Sequence, residues 1–69
     1  MSITVEITDQ FGGYIRSFKD EFTGLINVEI YNGRTNETTD YLFYADDPEV
    51  ISWLQGVYQP LQLKMLLSK

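Results

Sequence analysis

Histidine and cysteine are both missing from this chain. Histidine is the side chain whose ordinary pKa suits proton transfer near neutrality, and cysteine is the most readily activated nucleophile. Together they supply most zinc, haem and iron–sulfur ligands. Thiol chemistry and the histidine-dependent triads are therefore excluded, disulfides cannot form, and no cofactor is expected. Bases are also scarce: ten acids face five bases, for a net charge of −5. All ten acids fall within residues 1–49, against Arg16, Lys19 and Arg34, while residues 50–69 carry only Lys64 and Lys69. Phosphate backbones are held by basic stripes, so direct nucleic-acid binding is not expected. No apolar run approaches the ~18 residues of a membrane-spanning helix, and no charged-then-apolar leader opens the chain. A cytoplasmic protein with no membrane partner is the expectation. What remains is carboxylate, lysine or backbone chemistry, or none at all, which points to a non-catalytic binding module.

A hydrophobic content of 43% and an aromatic content of 14% argue against disorder. Residues 1–69 make one domain. A chain this short buries roughly 60% of its unfolded surface, so its stability is marginal without a staple. With disulfides and thiolate metal sites excluded, association with a second copy or with another protein is the staple left.

Residues 2–8 alternate, with Ile3, Val5 and Ile7 on one side and Thr4, Glu6 and Thr8 on the other, as in a half-buried strand. Residues 9–13 break it. Residues 14–23 fit either a strand or a helix. As a strand they set Tyr14, Arg16, Phe18 and Asp20 on one incoherent face. At about 100° per residue, Phe11, Tyr14, Ile15, Phe18 and Phe22 share one arc, which predicts an amphipathic helix closed by Gly24. Residues 25–31 and 39–45 are rich in β-branched and aromatic side chains, and Asn32-Gly33 between them opens a turn, so a hairpin is expected. Asp47-Pro48 is a helix start, an N-cap followed by proline, with Glu49 in the first turn. Val50, Ile51, Leu54, Val57 and Tyr58 form its apolar stripe, and Pro60 ends it. In residues 61–67, Leu61, Leu63, Met65 and Leu67 alternate with Gln62, Lys64 and Leu66, which predicts a last strand, although the composition also suits a helix.

The expected order is thus β-α-β-β-α-β, an α+β ferredoxin-like fold: a four-stranded antiparallel sheet with two helices on one face. Its open face would carry Thr4, Glu6, Asn27, Glu29 and Tyr31, joined either by Leu42 and Tyr44 or by Tyr41 and Phe43. In both registers aromatic side chains lie on an uncovered surface, the mark of a partner site.

Four segments resemble the ACT domains, small regulatory modules of that same order. Asp9-Gln10-Phe11-Gly12-Gly13 resembles the family's acid-x-x-Pro-Gly loop, with Gly12 where proline is usual. Ile15, Phe18 and Phe22 resemble its apolar helix positions, Ile26-Asn27-Val28 the opening of its second strand, and residues 45–49 the entry to its second helix. The resemblance implies an amino-acid ligand held by Gln10, Gly12, Gly13 and Asn27, with Asn27 from a neighbouring subunit. Independently, two glycines before a helix would aim backbone N–H groups at an anion; they also suit a plain tight turn. Tyr31, Tyr44 and Trp53 are candidate interface residues. Asp46, Asp47 and Glu49 lack calcium-loop spacing and suit helix capping, so no metal site is expected. Two functions follow as expectations. One is a regulatory module acting through protein–protein contacts and responsive to an amino acid. The other is a small phage or mobile-element inhibitor acting by steric block or acidic surface mimicry, with no small ligand.

Overall fold

The computed structural model describes residues 3–68. Four strands come first: β1 (Thr4–Thr8), β2 (Tyr14–Lys19), β3 (Leu25–Asn32) and β4 (Glu37–Tyr44). Two helices follow, α1 (Pro48–Val57) and α2 (Pro60–Leu67). The strands form an antiparallel meander in the order β1-β2-β3-β4. The fold is α+β, as expected, with four antiparallel strands and two helices. The order βαββαβ is overturned, because both helices come after the whole sheet. The first expected strand is present from Thr4; Ser2 lies outside the described residues.

The expected helix over residues 14–23 is a strand and a turn. Cross-strand partners make coherent the face that looks incoherent in isolation. Arg16 stands between Glu6 of β1 and Glu29 of β3, and Tyr14 stands beside Tyr31 with ring centroids 5.4 Å apart. Such pairs are the unit of sheet stabilisation. The supposed helical stripe is not buried: Phe22 is 99% exposed and Phe11 47%. Gly24 does adopt a left-handed φ of 73°, but to close the β2–β3 turn rather than a helix.

Each of the three turns is organised by one Asx side chain. Asp9 Oδ1 accepts from Phe11 N (2.8 Å) and Gly13 N (2.9 Å). Asp20 Oδ1 accepts from Phe22 N (2.8 Å) and Thr23 N (3.3 Å). Asn32 Oδ1 accepts from Arg34 N (2.9 Å) and Thr35 N (3.3 Å). An Asx side chain that satisfies its own neighbouring backbone favours a turn over a helix.

The last expected strand is also a helix. Pro60 ends α1 and, at the first helical position, starts α2. Leu63 and Leu66, three residues apart, are buried, whereas Leu61 and Met65 are exposed. Asp47 caps α1 as expected, accepting from Glu49 N at 2.9 Å. Asp47→Ala is expected to cost about 1 kcal/mol, the usual worth of such a cap, which thermal unfolding followed by circular dichroism would register as a fall in Tm of about 4–8 °C.

The core lies between the sheet and the helices. Val5, Ile26 and Val28 meet Val50, Leu54, Tyr58, Leu63 and Leu66. Its one buried polar side chain among the described residues is Ser17, whose Oγ lies 2.8 Å from the Tyr58 hydroxyl. Tyr58 OH donates to the Ile15 carbonyl at 3.3 Å. A phenol has one hydrogen, so Ser17 is the donor of the pair. α2 packs over β1 and β2, and Gln62 Nε2 reaches the Glu6 carbonyl of the β1 edge at 3.3 Å. Among the described residues neither helix covers the β4 edge in this way.

Candidate functional site

β4 is eight residues long and none of them is buried. It pairs with β3 on one side only. Along its outer edge alternate residues turn backbone N–H and C=O groups to solvent, a template for another strand. Its side chains divide between two surfaces. Leu42 (64% exposed) and Tyr44 (71%) stand on the open face, across from Asn27 and Leu25. Tyr41 and Phe43 stand on the helix side, with ring centroids 5.8 Å apart. Trp53 of α1 lies 6.4 Å from the Phe43 ring at 44°. Of the two registers left open by the sequence, the one that places Leu42 and Tyr44 on the open face is realised.

A groove of about 520 Å³ runs between β4 and the start of α1. Ile30 and Val50 line its floor; Tyr41, Phe43 and Trp53 wall it, and Asp47 and Glu49 stand at its mouth. Proline at the helix start and aspartate at its cap bring those carboxylates there, because they fix where α1 begins beside the end of β4.

The open face carries a charged row, Glu6, Arg16, Glu29 and Asp40, one residue from each strand. Arg16 donates to Glu6 Oε1 through Nε (3.0 Å) and Nη2 (2.7 Å), and Nη1 lies 3.5 Å from Glu29 Oε2. The hydrogen bond to Glu6 is the main cause of an upward shift of the guanidinium pKa. The Arg16 guanidinium also lies 4.3 Å from the centre of the Tyr14 ring. Tyr14 OH donates to Glu29 at 3.3 Å, and partial burial followed by the Glu29 charge raises its pKa. These groups are about 40% exposed, and ion pairs of that kind contribute about 0–1 kcal/mol. The row positions side chains more than it stabilises the fold.

Gln10, Gly12 and Gly13 sit together in the β1–β2 turn, but no helix follows them. The dipole that would favour an anion is therefore missing. Asp9 already occupies the backbone N–H groups of Phe11 and Gly13. Gly12 is there for its φ of 81°. Gly13 is there for a close approach, since a Cβ on it would lie 2.8 Å from the Tyr31 carbonyl oxygen. Asn27 pairs with Phe18, four residues along β2 from the turn, or about 13 Å; one chain does not bring it to the loop. It lines instead a shallow depression of about 190 Å³ with Arg16, Phe18, Glu29 and Asp40.

Of the three candidate interface residues, Trp53 lines the groove and Tyr44 is the most exposed of the large apolar side chains of β4. Tyr31 is apart from both, held by Tyr14 and by its own hydrogen bond to Asn36 at 2.7 Å. In the sequence Glu49 points only to helix capping, and Tyr41 and Phe43 only to a sheet face. What would have joined them is the meander, which makes β4 an edge beside α1. Among the described residues no group of three or more acidic side chains is arranged to hold a metal ion, and no helix is long and apolar enough to cross a membrane. In comparison with known proteins the chain matches no family model, no curated sequence and no solved structure.

Proposed function

We propose that this protein is a non-catalytic binding module that recruits a partner polypeptide along β4. The observation that carries this reading is the contrast between the two edges of the sheet. β1 is packed under α2 and has an edge carbonyl satisfied by Gln62, whereas β4 leaves eight residues unburied with aromatic side chains on both faces. Proteins normally blunt an edge of that length with lysine, proline or a covering element. β4 has neither residue, and its two acids, Glu37 and Asp40, lie toward its beginning. The end that carries Tyr41, Leu42, Phe43 and Tyr44 is left for pairing. Strand addition draws affinity from main-chain hydrogen bonds and specificity from pockets for alternate side chains, and the groove beside Trp53 supplies such a pocket.

The test is selection of binders from a random-sequence peptide library, followed by amide chemical-shift mapping on the labelled protein. Binders that shift the β4 amides and slow their hydrogen exchange support the proposal. Binders that map to the helices or to the β1–β2 turn overturn it. Sedimentation velocity from 10 to 500 μM adds the case of a second copy: a dimer that protects β4 would make the chain its own partner. Leu42→Ser and Tyr44→Ser are expected to change stability by about 1 kcal/mol or less, since both side chains are solvated, while weakening peptide binding about tenfold or more. Loss of Tm by 10 °C in either variant would mean that they serve the fold instead. A thermal-shift screen of the twenty amino acids is expected to give no stabilisation. A ligand at a hundred times its Kd would add about 2.7 kcal/mol, so a single clear hit would favour a small-molecule sensor.

A further inference from the structure

We infer that the groove between β4 and α1 receives a cationic side chain, a guanidinium or an ammonium, carried by a basic strand of the partner protein; this rests on β4 being the docking edge. Three aromatic rings, Tyr41, Phe43 and Trp53, line the groove, and the only charged groups lining it among the described residues are Asp47 and Glu49. Aromatic faces attract cations through their quadrupole, most strongly tryptophan, and carboxylates at the rim complete the charge. The same pairing already occurs twice within this chain: Arg16 lies 4.3 Å from the centre of Tyr14, and Arg34 lies 3.8 Å from that of Phe11. In the groove the aromatic and acidic halves are present and the cation is not supplied by any lining residue.

Geometry links the groove to the edge. Tyr41 and Phe43 are the aromatic residues of β4 on the helix side, which Glu37 and Thr39 share nearer its start. A strand added to β4 sets every second side chain on that same side, about 5 Å from Tyr41 or Phe43, which is within reach of Trp53 and Glu49 for a side chain as long as arginine. Asp47 spends one carboxylate oxygen on capping α1. Glu49 has no ion-pair partner among the described residues and is the better counter-ion. Charge decides against a second copy as the favoured occupant. The chain carries −5, its two arginines are already engaged with Glu6, Glu29 and Phe11, and β4, the strand a second copy would add edge to edge, has neither lysine nor arginine. A partner of opposite sign also gains in encounter rate from the whole field of the protein.

Trp53 is the chain's only tryptophan, so its fluorescence reports on the groove directly. The experiment titrates the full chain with three extended peptides that differ at one central position: arginine, citrulline (which keeps the shape but is uncharged and has a carbonyl oxygen in place of one NH2 donor), and glutamate. At low salt the arginine peptide is expected to bind about tenfold more tightly than the citrulline peptide, and the glutamate peptide most weakly, with the gap shrinking in 0.5 M salt. Glu49→Gln is expected to reduce the preference for arginine over citrulline several-fold. Its circular dichroism and Tm verify folding, and the β4 amide shifts verify that the peptide still docks. Equal affinity for arginine and citrulline peptides, with β4 shifts intact, overturns the cation site and leaves the edge as the docking element. Tight binding of the arginine peptide with no movement of β4 amides or of Trp53 fluorescence overturns the inference, and so does binding by none of the three, which removes the docking edge as well.

Discussion

Gly33→Ala should be the most damaging single-methyl change in this chain, with a loss of about 3 kcal/mol, at the upper end of what overpacking normally costs. Gly33 does not need a left-handed backbone; only Gly12 and Gly24 among the glycines have positive φ. On propensity alone the substitution would be neutral or stabilising. Space decides the sign. A Cβ on Gly33 would overlap the Phe11 carbonyl oxygen and lie 2.7 Å from the Gly13 nitrogen. Those contacts are backbone, which cannot swing aside, and they join the β1–β2 turn to the β3–β4 turn across the end of the sheet. A domain of this size has about 3–10 kcal/mol in total, so the variant should melt about 12–24 °C lower or fail to accumulate. Gly12→Ala is the control. Nothing lies within 4 Å of its added methyl, and only the φ of 81° opposes it, a cost of about 1–2 kcal/mol. If both variants unfold at the same urea concentration, the contact between the two turns is not what Gly33 protects.

Tyr58→Phe should cost about 2 kcal/mol, within the range for orphaning a buried hydrogen-bonding group. The hydroxyl accepts from Ser17, which is completely buried, and donates to the Ile15 carbonyl. Phenylalanine keeps the ring and leaves Ser17 with no acceptor. Ser17→Ala added to Tyr58→Phe should recover part of the loss, because removing both partners leaves nothing unsatisfied. Ser17→Ala alone should cost less than Tyr58→Phe, since Tyr58 retains Ile15. The same hydroxyl sets an alkaline limit. Burial raises the Tyr58 pKa above the ordinary 10.0, against a smaller lowering by the Ser17 hydrogen bond. Above about pH 10 the unfolded chain releases this proton while the folded chain retains it, so the folded state binds more protons and stability falls as pH rises. Below pH 10 the contribution is fully present; it is lost as pH climbs through the folded value. Urea unfolding from pH 8 to pH 11.5 should show a steeper alkaline decline for the wild type than for Tyr58→Phe. Parallel curves would mean that Tyr58 titrates as freely in the core as in water.

The two missed elements fail for opposite reasons. In residues 14–19 the alternation of Tyr14, Arg16 and Phe18 looks disordered because the residues that complete it, Glu6, Glu29 and Tyr31, lie on other strands. In residues 61–67 the alternation of Leu61, Leu63, Met65 and Leu67 is regular but irrelevant, because α2 buries Leu63 of that set together with Leu66 from the opposite one. A local signal for the meander was present all the same. Asp9, Asp20 and Asn32 recur at intervals of eleven and twelve residues, each followed by glycine within four positions, and turn residues at that spacing mark consecutive short strands. Gly24 does not separate the two possibilities, since a helix end and a hairpin both use glycine at positive φ.

By itself the amino-acid sequence determined the α+β class, the β3–β4 hairpin, the Asp47 cap with α1 behind it, the acidic surface, and the absence of histidine and cysteine chemistry. These rest on local causes: turn residues, a capping side chain, and composition. Only the tertiary structure decided that β2 is extended, that α2 is helical, that the two glycine turns touch, and that β4 is an edge beside an aromatic, acid-rimmed groove. Each of those depends on which surfaces meet, because cross-strand pairing and burial outweigh propensities worth a few tenths of a kcal/mol per residue.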